Sequence, residues 1–276
     1  LSGTWYNPAT PGQGFLVDIS TQQSYVYVGW YTYDKNGGTG PNLQAQQRWY
    51  SIQGSLLPGD TVKTMPIYLN TGGRFDSAPP TSAVVIGSAT LSFQSCSVAT
   101  LQFQFNPDGQ PENQASGTIP LTRLTSDEYC ATSAMPSFSL TASGIHPGLN
   151  GAWYNQATAG QGFQFNFAPR SNNYVYLGWY TYALDGTPSS GVSGQRWYSV
   201  QGNYTPGSRT VTNLGIWEST GGRLNAEQPP AAHTQVGTAD LHFTSCTSAQ
   251  LTYRIAGRPH RTIQLSRLVG VYGCTN

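Results

Sequence analysis

The sequence predicts an all-β protein of two homologous antiparallel domains, each a β-barrel or β-sandwich of about seven or eight strands. Three observations predict this class. The chain repeats itself almost entirely, its apolar stretches are short and rich in Val, Ile, Thr and aromatic residues, and no stretch shows a useful helical period. With 276 residues, the chain is long enough for two domains that each bury a core.

The repeat sets the domain boundaries. The string GTWYNPATPGQGF, from Gly3 to Phe15, returns as GAWYNQATAGQGF from Gly151 to Phe163. YVYVGWYTY, QRWYSIQG and TGGRF return in the same order as YVYLGWYTY, QRWYSVQG and TGGRL. This period exceeds the roughly 20–50 residues of stacked repeats, so it indicates duplication of a whole domain. We predict copy one over residues 1–130, a linker over 131–148 and copy two over 149–276.

The linker is small, polar and punctuated by Pro and Gly, which is typical of a plain tether. Its middle, SFSLTAS, has an alternative interpretation as an extra strand. The tether is the preferred interpretation from the sequence.

The strands of copy one are bounded by turn-forming residues. Trp5 and Tyr6 form a first half-strand, and Gly12 and Gly14 bracket Gln13 so that the backbone can make a tight corner. Longer strands are predicted over Phe15–Ser20, Tyr25–Tyr33, Gln46–Gln53, Thr61–Leu69, Val84–Phe93, Thr100–Phe105 and Thr118–Leu124.

The four cysteines, Cys96, Cys130, Cys246 and Cys274, allow three pairings. The repeat selects Cys96 with Cys130 and Cys246 with Cys274, one disulfide per copy. Spacings this long do not suit a zinc site. Disulfides indicate an oxidising compartment, and the chain begins at Leu1 without Met. We therefore expect a secreted protein from which an export signal has been removed.

Charged residues make up 9% of the chain, against roughly 25% in a typical soluble domain, and the net charge is +1. This balance does not direct the protein toward nucleic acid. No apolar run approaches the roughly 18 residues of a membrane helix, so we expect no membrane insertion. We predict no cofactor and no metal.

Candidate catalytic residues are few. The four histidines are His146, His233, His242 and His260. None has a counterpart in copy one, so a Ser-His-acid site duplicated with the domain is excluded. Of the twelve acidic residues, Asp34 and Asp185 alone fall in similar places, and both lie in turn-like strings. We predict that the protein is not an enzyme.

The recurring aromatic residues form the strongest pattern. Successive side chains of a strand point to opposite faces, so Tyr31 and Tyr33 share one face while Trp30 lies on the other. One set builds the core, and the other is either exposed to a ligand such as a sugar or covered by loops or the second domain. The candidate ligand-binding residues are Trp30, Tyr31, Tyr33, Trp49, Tyr50, Trp179, Tyr180, Tyr182, Trp197, Tyr198, Arg48 and Arg196.

Arg48 and Arg196 each precede a tryptophan in the QRWY strings. There a guanidinium could lie over an indole ring or clamp a carboxylate. In a chain with so few charges, a fixed structural partner is the preferred interpretation for both arginines.

The pattern GxWYNxxxxGQGF…GWYTY…QRWY…GGR…C…RL…C resembles a Trp/Tyr-rich module of exported bacterial proteins, often found in tandem and often trailing secreted hydrolases. The resemblance covers nearly all of both copies and implies little about activity. GTWYN and GRFDSAP, the latter at Gly73–Pro79, are also similar to strings of the avidin family. That second resemblance implies an eight-stranded barrel; we do not extend it to biotin binding.

Together these features predict a secreted, non-catalytic bacterial protein that binds a glycan or cell-surface polymer through the aromatic faces of both copies, which would add avidity. The alternative is a self-assembling extracellular subunit of a filament or surface layer, which would bind other copies of itself through a strand edge. A third hypothesis is an accessory domain of a secreted hydrolase.

Overall fold

The structure is a computed structural model that describes residues 1–20, 22–77, 81–125, 130, 137–184, 191–229, 231–270 and 273–276. Asp185, residues 131–136 of the predicted linker and the end of the GRFDSAP string lie outside these ranges. Within the described ranges, no helix combines the length and the hydrophobicity needed to cross a membrane.

Copy one folds as a closed antiparallel barrel, here called barrel one, with its eight strands in sequence order. The strands are β1 Gly3–Tyr6, β2 Gly14–Ser20, β3 Tyr25–Tyr33, β4 Gln47–Ser55, β5 Val62–Thr71, β6 Ser82–Phe93, β7 Val98–Phe105 and β8 Ser116–Arg123. β1 closes the barrel by pairing with β8, where Trp5 lies opposite Arg123. Alternating side chains fill the interior, with Trp30, Leu101 and Phe105 in its core.

Copy two forms a second closed barrel, barrel two, with the same strand order. A short strand β9 Phe138–Ser139 and one helical turn α1 Leu140–Ser143 precede it. Its strands are β10 Gly151–Tyr154, β11 Gly162–Ala168, β12 Tyr174–Tyr182, β13 Gln195–Asn203, β14 Thr210–Thr220, β15 Ala232–Ser245, β16 Ser248–Ile255 and β17 Arg261–Arg267, followed by β18 Cys274–Thr275. Trp179, Phe165 and Phe243 lie in its core.

The predicted fold class is confirmed, and of its two architectures the structure shows the barrel. Cys96 is bonded to Cys130, and Cys246 is bonded to Cys274, one disulfide in each half as the repeat predicts. Each disulfide ties the segment that follows β6 or β15 to the segment that follows the last strand of its barrel.

The described part of the linker is built into barrel two. Phe138 and Ser139 pair in parallel with β18, so the SFSLTAS middle does contribute a strand, within one chain. Leu140, Ile145 and Leu149 are buried in the core of barrel two. The tether interpretation therefore does not hold for residues 137–148, because their apolar side chains, such as Leu140 and Ile145, help to close one end of the barrel.

The β5–β6 and β14–β15 hairpins extend beyond their own barrels. β5 pairs with β4 near its middle, whereas it pairs with β6 as far as Thr71. Phe75 at the tip of the first hairpin packs on Trp179 of barrel two, with ring centroids 5.2 Å apart. Leu224 at the tip of the second hairpin packs against the core of barrel one. Each copy thus covers one end of the other copy's barrel.

Candidate functional site

The outward-facing aromatic residues of the two copies meet in one buried cluster, here called the inter-barrel interface. Tyr31 stacks on Tyr180 with ring centroids 4.6 Å apart and ring planes 8° apart. Trp197 packs 5.5 Å from Tyr31, and Trp49 packs 5.5 Å from Tyr180, between ring centroids. The buried members are Leu16, Tyr31, Tyr33, Trp49, Tyr180, Tyr182 and Trp197.

The QRWY strings bond the backbones of the two barrels to each other. Trp49 and Trp197 each donate the indole N–H to a backbone carbonyl of the opposite barrel, at 3.1 and 3.0 Å. Gln47 donates to the carbonyl of Trp197, and Gln195 donates to the carbonyl of Trp49, both at 2.9 Å. Because these four hydrogen bonds form two reciprocal pairs, this part of the interface has the character of an isologous, twofold contact within one chain.

The glutamine of the opening string makes a further reciprocal contact. Gln13 donates to the carbonyl of Arg223 at 3.0 Å and accepts from the backbone N–H of Asn225 at 3.1 Å. Gln161 makes the same pair of contacts with the copy-one hairpin tip, at 2.6 and 3.1 Å. The string therefore recurs because each copy uses it to hold the hairpin tip of the other.

Two repeated glycines make room for the stacked tyrosines. A Cβ atom at Gly29 would lie 1.2 Å from the hydroxyl oxygen of Tyr180, and one at Gly178 would lie 1.7 Å from that of Tyr31. Both tyrosines are buried, so neither can move aside freely. The glycine of each GWYTY string is thus required by the tyrosine of the other copy.

The structure corrects the expectation of exposed aromatic faces. None of the twelve candidate ligand-binding residues is more than 9% exposed. The inward members, Trp30, Tyr50, Trp179 and Tyr198, lie in the barrel cores. The outward aromatic members, Tyr31, Tyr33, Trp49, Tyr180, Tyr182 and Trp197, form the inter-barrel interface, which is the domain contact that the sequence left as an alternative.

The two QRWY arginines are also buried, and both contact other groups of the protein. Arg48 pairs with Asp34 and lies 3.7 Å from the carboxylate of Glu112. Arg196 donates to two nearby backbone carbonyls at 2.7 Å. Asp34 also accepts from the backbone N–H of Asn36 at 2.8 Å, which confirms its predicted role in a turn.

Guanidinium–indole contacts occur at two arginines that sequence reasoning missed. Arg123 lies 4.5 Å from the ring centroid of Trp5, and Arg267 lies 5.8 Å from that of Trp153. Both arginines belong to the repeated RL string. The recurrence of that string in both copies was the sequence feature that could have identified them.

Two clefts open along the edges of the inter-barrel interface, with volumes of about 330 and 250 Å³. They are built from corresponding residues of the two copies. The larger cleft is lined by Tyr6, Gln13 and Tyr31 of barrel one and by Tyr176, Trp197 and Gln201 of barrel two, among others. The smaller cleft is lined by the counterparts Tyr154, Gln161 and Tyr180 of barrel two and Tyr27, Trp49 and Gln53 of barrel one.

The clefts are neutral and rich in aromatic rings. Among the described residues, no Asp, Glu, Lys or Arg lines either cleft. Amide and hydroxyl groups lie between the rings, including the Thr4 hydroxyl, which is buried without a hydrogen-bond partner in the described part of the chain. Four of the twelve candidate ligand-binding residues, Tyr31, Trp49, Tyr180 and Trp197, take part in the lining, and their role in binding stays a prediction.

The larger cleft also contains a serine–histidine pair. The Ser219 hydroxyl lies 2.8 Å from Nδ1 of His233. The described residues place no carboxylate within hydrogen-bond distance of the other ring nitrogen, so the pair lacks the orienting acid of a Ser-His-Asp triad. The smaller cleft has Asn70 and Ala83 at the corresponding positions.

Glu112 is a buried acid of barrel one that sequence reasoning missed. Its carboxylate accepts from the Tyr50 hydroxyl at 2.9 Å and from the backbone N–H of Lys35 at 3.0 Å. Burial, reinforced by the neighbouring charge of Asp34, raises the pKa of Glu112 from 4.5 to about 7. It lies in a connection that differs between the copies, so comparison of the repeats could not reveal it.

Comparisons with protein-family models, with curated proteins and with solved structures find no match to this chain. Among the residues that the structure describes, no three His, Cys, Asp or Glu side chains are grouped so that they could hold a metal ion. The class that the fold and the interface define is a two-barrel β-protein with one reciprocal internal interface and a pair of neutral, aromatic-lined clefts.

Proposed function

We propose that the protein binds neutral glycans in the two inter-barrel clefts, one saccharide unit or short segment in each. The observation that supports this function is the lining of both clefts by aromatic rings and uncharged amides and hydroxyls, without a charged side chain among the described residues.

This chemistry matches that of an uncharged sugar. A pyranose ring has an apolar face, which packs on aromatic rings, and hydroxyl groups, which need neutral donors and acceptors. Tyr6 and Tyr154 are partly exposed at corresponding places in the two clefts. Gln201 and Gln53 each already accept from a tyrosine hydroxyl, at 2.7 and 2.6 Å, and so leave their amide N–H groups for a ligand.

Two sites on one chain would raise the apparent affinity for a polymer that carries repeated sugars. The two disulfides are consistent with an extracellular protein, and we place this binding role outside the cell. The resemblance to modules of exported bacterial proteins agrees with that location. In this proposal the Ser219–His233 pair contributes hydrogen bonds to a ligand and no catalytic step.

The test is a titration of the full chain with three neutral disaccharides: cellobiose, maltose and N,N′-diacetylchitobiose. Binding is monitored by NMR chemical shifts and by calorimetry. We expect at least one of them to bind with a stoichiometry approaching two per chain. Tyr6→Ala should weaken binding at the larger cleft about tenfold or more, and Tyr154→Ala should do the same at the smaller cleft.

Each variant is the matched control of the other, because its second cleft is intact. Near-ultraviolet circular dichroism verifies that both variants keep their buried aromatic packing. The proposal is contradicted if none of the disaccharides shifts resonances at either cleft, or if binding persists unchanged in the double variant.

A further inference from the structure

A third cleft lies at the end of barrel two that the copy-one hairpin covers. It has a volume of about 250 Å³. Its residues come from both copies: Arg74, Phe75 and Asp76 from the hairpin tip, and Tyr253, Arg258 and Arg261 from β16, β17 and their connection. A ligand in this cleft would therefore contact both halves of the chain.

The charge of this cleft is unusual for the protein. In the described part of the chain, three arginines and one carboxylate line it, although only 9% of all residues are charged. None of the three guanidinium groups has a hydrogen bond or ion pair with a described residue, and Nε of Arg74 is buried without a partner there. Arg258 and Arg261 are exposed.

The one carboxylate among the described lining residues already accepts a hydrogen bond. Asp76 accepts a hydrogen bond from the Tyr253 hydroxyl at 3.0 Å. Burial raises the pKa of Asp76 above its usual value, while the nearby Arg261 opposes the rise. Among the described lining residues, one carboxylate faces three guanidinium groups, so their summed charge is positive.

Arg74 has a counterpart in Arg223 of the second hairpin, but Arg258 and Arg261 have none in the corresponding part of barrel one. There the connection between β7 and β8 contains Asp108 and Glu112, with neither lysine nor arginine. At the second hairpin tip, Leu224 and Asn225 replace Phe75 and Asp76. Because the duplicated fold forms without this charge in copy one, the fold itself does not explain the arginines of copy two.

The rest of the lining limits the shape of the ligand. Phe75 packs edge-on against Tyr253, with ring centroids 5.7 Å apart and planes at 89°, and Leu184 adds apolar surface beside them. Guanidinium groups bind carboxylates through parallel N–H donors, and a ring face would pack on Phe75. The volume lies below the roughly 300–1,000 Å³ of sites for drug-sized ligands, which suits a single sugar residue.

We propose that this cleft binds a carboxylate-bearing sugar, a hexuronate, with its carboxylate held by Arg258 and Arg261 and its ring against Phe75. The site does not depend on the inter-barrel clefts, and it would let one chain recognise a polymer that contains both neutral and acidic sugars.

The test is calorimetric titration of the full chain with sodium glucuronate, compared with glucose and with the methyl ester of glucuronic acid, which lacks the charge. We expect glucuronate to bind at least tenfold more tightly than either neutral sugar. Raising the salt concentration should weaken it. Arg258→Gln combined with Arg261→Gln should abolish the preference, and Asp76→Asn should strengthen binding several-fold by removing the opposing charge.

Arg254→Gln is the matched control, because Arg254 pairs with Asp240 at 2.7 Å outside the cleft, and its affinity for glucuronate should equal that of the wild type. Tyr6→Ala and Tyr154→Ala should also keep glucuronate binding, which separates this site from the neutral clefts. Equal affinity for acetate and glucuronate, or binding that survives loss of both arginines, would overturn the proposal.

Discussion

Barrel one and barrel two are most alike where they touch. Apart from Leu16, whose counterpart is Gln164, the buried members of the interface are the same residue types from each copy. They meet in reciprocal pairs, such as Tyr31 with Tyr180, and Gln47 lies opposite Gln195. A change in one member of such a pair would leave its partner copy without a fitting contact. The repeated strings are therefore explained by a mutual contact between copies more than by the needs of each barrel alone.

The two barrels differ in the regions that lie outside these reciprocal contacts. One end of barrel two is closed by Leu140 of the predicted linker and by Leu149, whereas Leu1 is only partly buried against barrel one. The β7–β8 connection of barrel one contains the buried Glu112, and the corresponding part of barrel two contains exposed arginines. Positions outside the reciprocal contact could change in one copy without a matching change in the other.

The largest expected effect tests the reciprocity of the interface. Trp49→Ala and Trp197→Ala should each lower the free energy of unfolding by about 3–5 kcal/mol, because each removes a buried indole and its hydrogen bond. The two losses should agree within about 1 kcal/mol, since the surroundings correspond. Urea denaturation measures both. A large effect of one and a small effect of the other would contradict the reciprocal contact.

The next effect compares the closed ends of the barrels. Leu149 and Leu1 occupy corresponding positions, and their carbonyls each accept the indole N–H of a tryptophan at 3.1 Å. Leu149 is 0% exposed, so Leu149→Ala should cost about 2–4 kcal/mol of stability. Leu1→Ala, at a partly buried side chain, should cost about 1 kcal/mol or less. Thermal or urea unfolding measures both losses of stability. Equal losses for Leu149→Ala and Leu1→Ala would contradict this difference between the two barrel ends.

A third variant tests the space that the glycines provide. Gly29→Ala places a methyl group where the Tyr180 hydroxyl lies, so it should lower the free energy of unfolding by about 1–3 kcal/mol. Gly191→Ala is the control, because a Cβ atom there meets no atom of a described residue within 4 Å, and its change should stay within about 0.5 kcal/mol. The interpretation fails if Gly29→Ala is as neutral as the control.

The smallest effect concerns pH and barrel one alone. The folded-state pKa of Glu112, about 7, exceeds its ordinary value of 4.5, so the folded state binds the proton more tightly than the unfolded state. Its contribution to stability is complete below about pH 4.5 and is lost as the pH rises through 7. The groups that face it are Tyr50, Arg48, Asp34 and the backbone N–H of Lys35.

Glu112→Gln should therefore lose less stability than the wild type between pH 5 and pH 8, by about 1–2 kcal/mol. Urea unfolding at the two pH values measures the difference. Asp108→Asn, an exposed position in the same connection, should keep the pH dependence of the wild type. An unchanged slope in Glu112→Gln would show that this carboxyl does not titrate in the folded protein near pH 7.

Local sequence patterns predicted the strands, because strands show alternating side chains and strand-forming residues. The repeat predicted the disulfides, because it pairs the cysteines within each copy. Closure into a barrel depends on the pairing of β1 with β8, a long-range contact that no local pattern fixes. The opposite faces of Trp30 and Tyr31 followed from strand geometry, but what covers Tyr31 depends on the position of the other barrel. Comparison of repeats could not find Glu112 or Arg258, because each occurs in one copy.

The central claim is that the repeated strings join two barrels into one cooperative unit. Differential scanning calorimetry of the wild type and of Tyr31→Ala with Tyr180→Ala tests it most directly. We predict one unfolding transition for the wild type and two separate transitions for the double variant, since loss of the stacked tyrosines uncouples the barrels. Two independent transitions in the wild type, unaffected by these substitutions, would contradict the account.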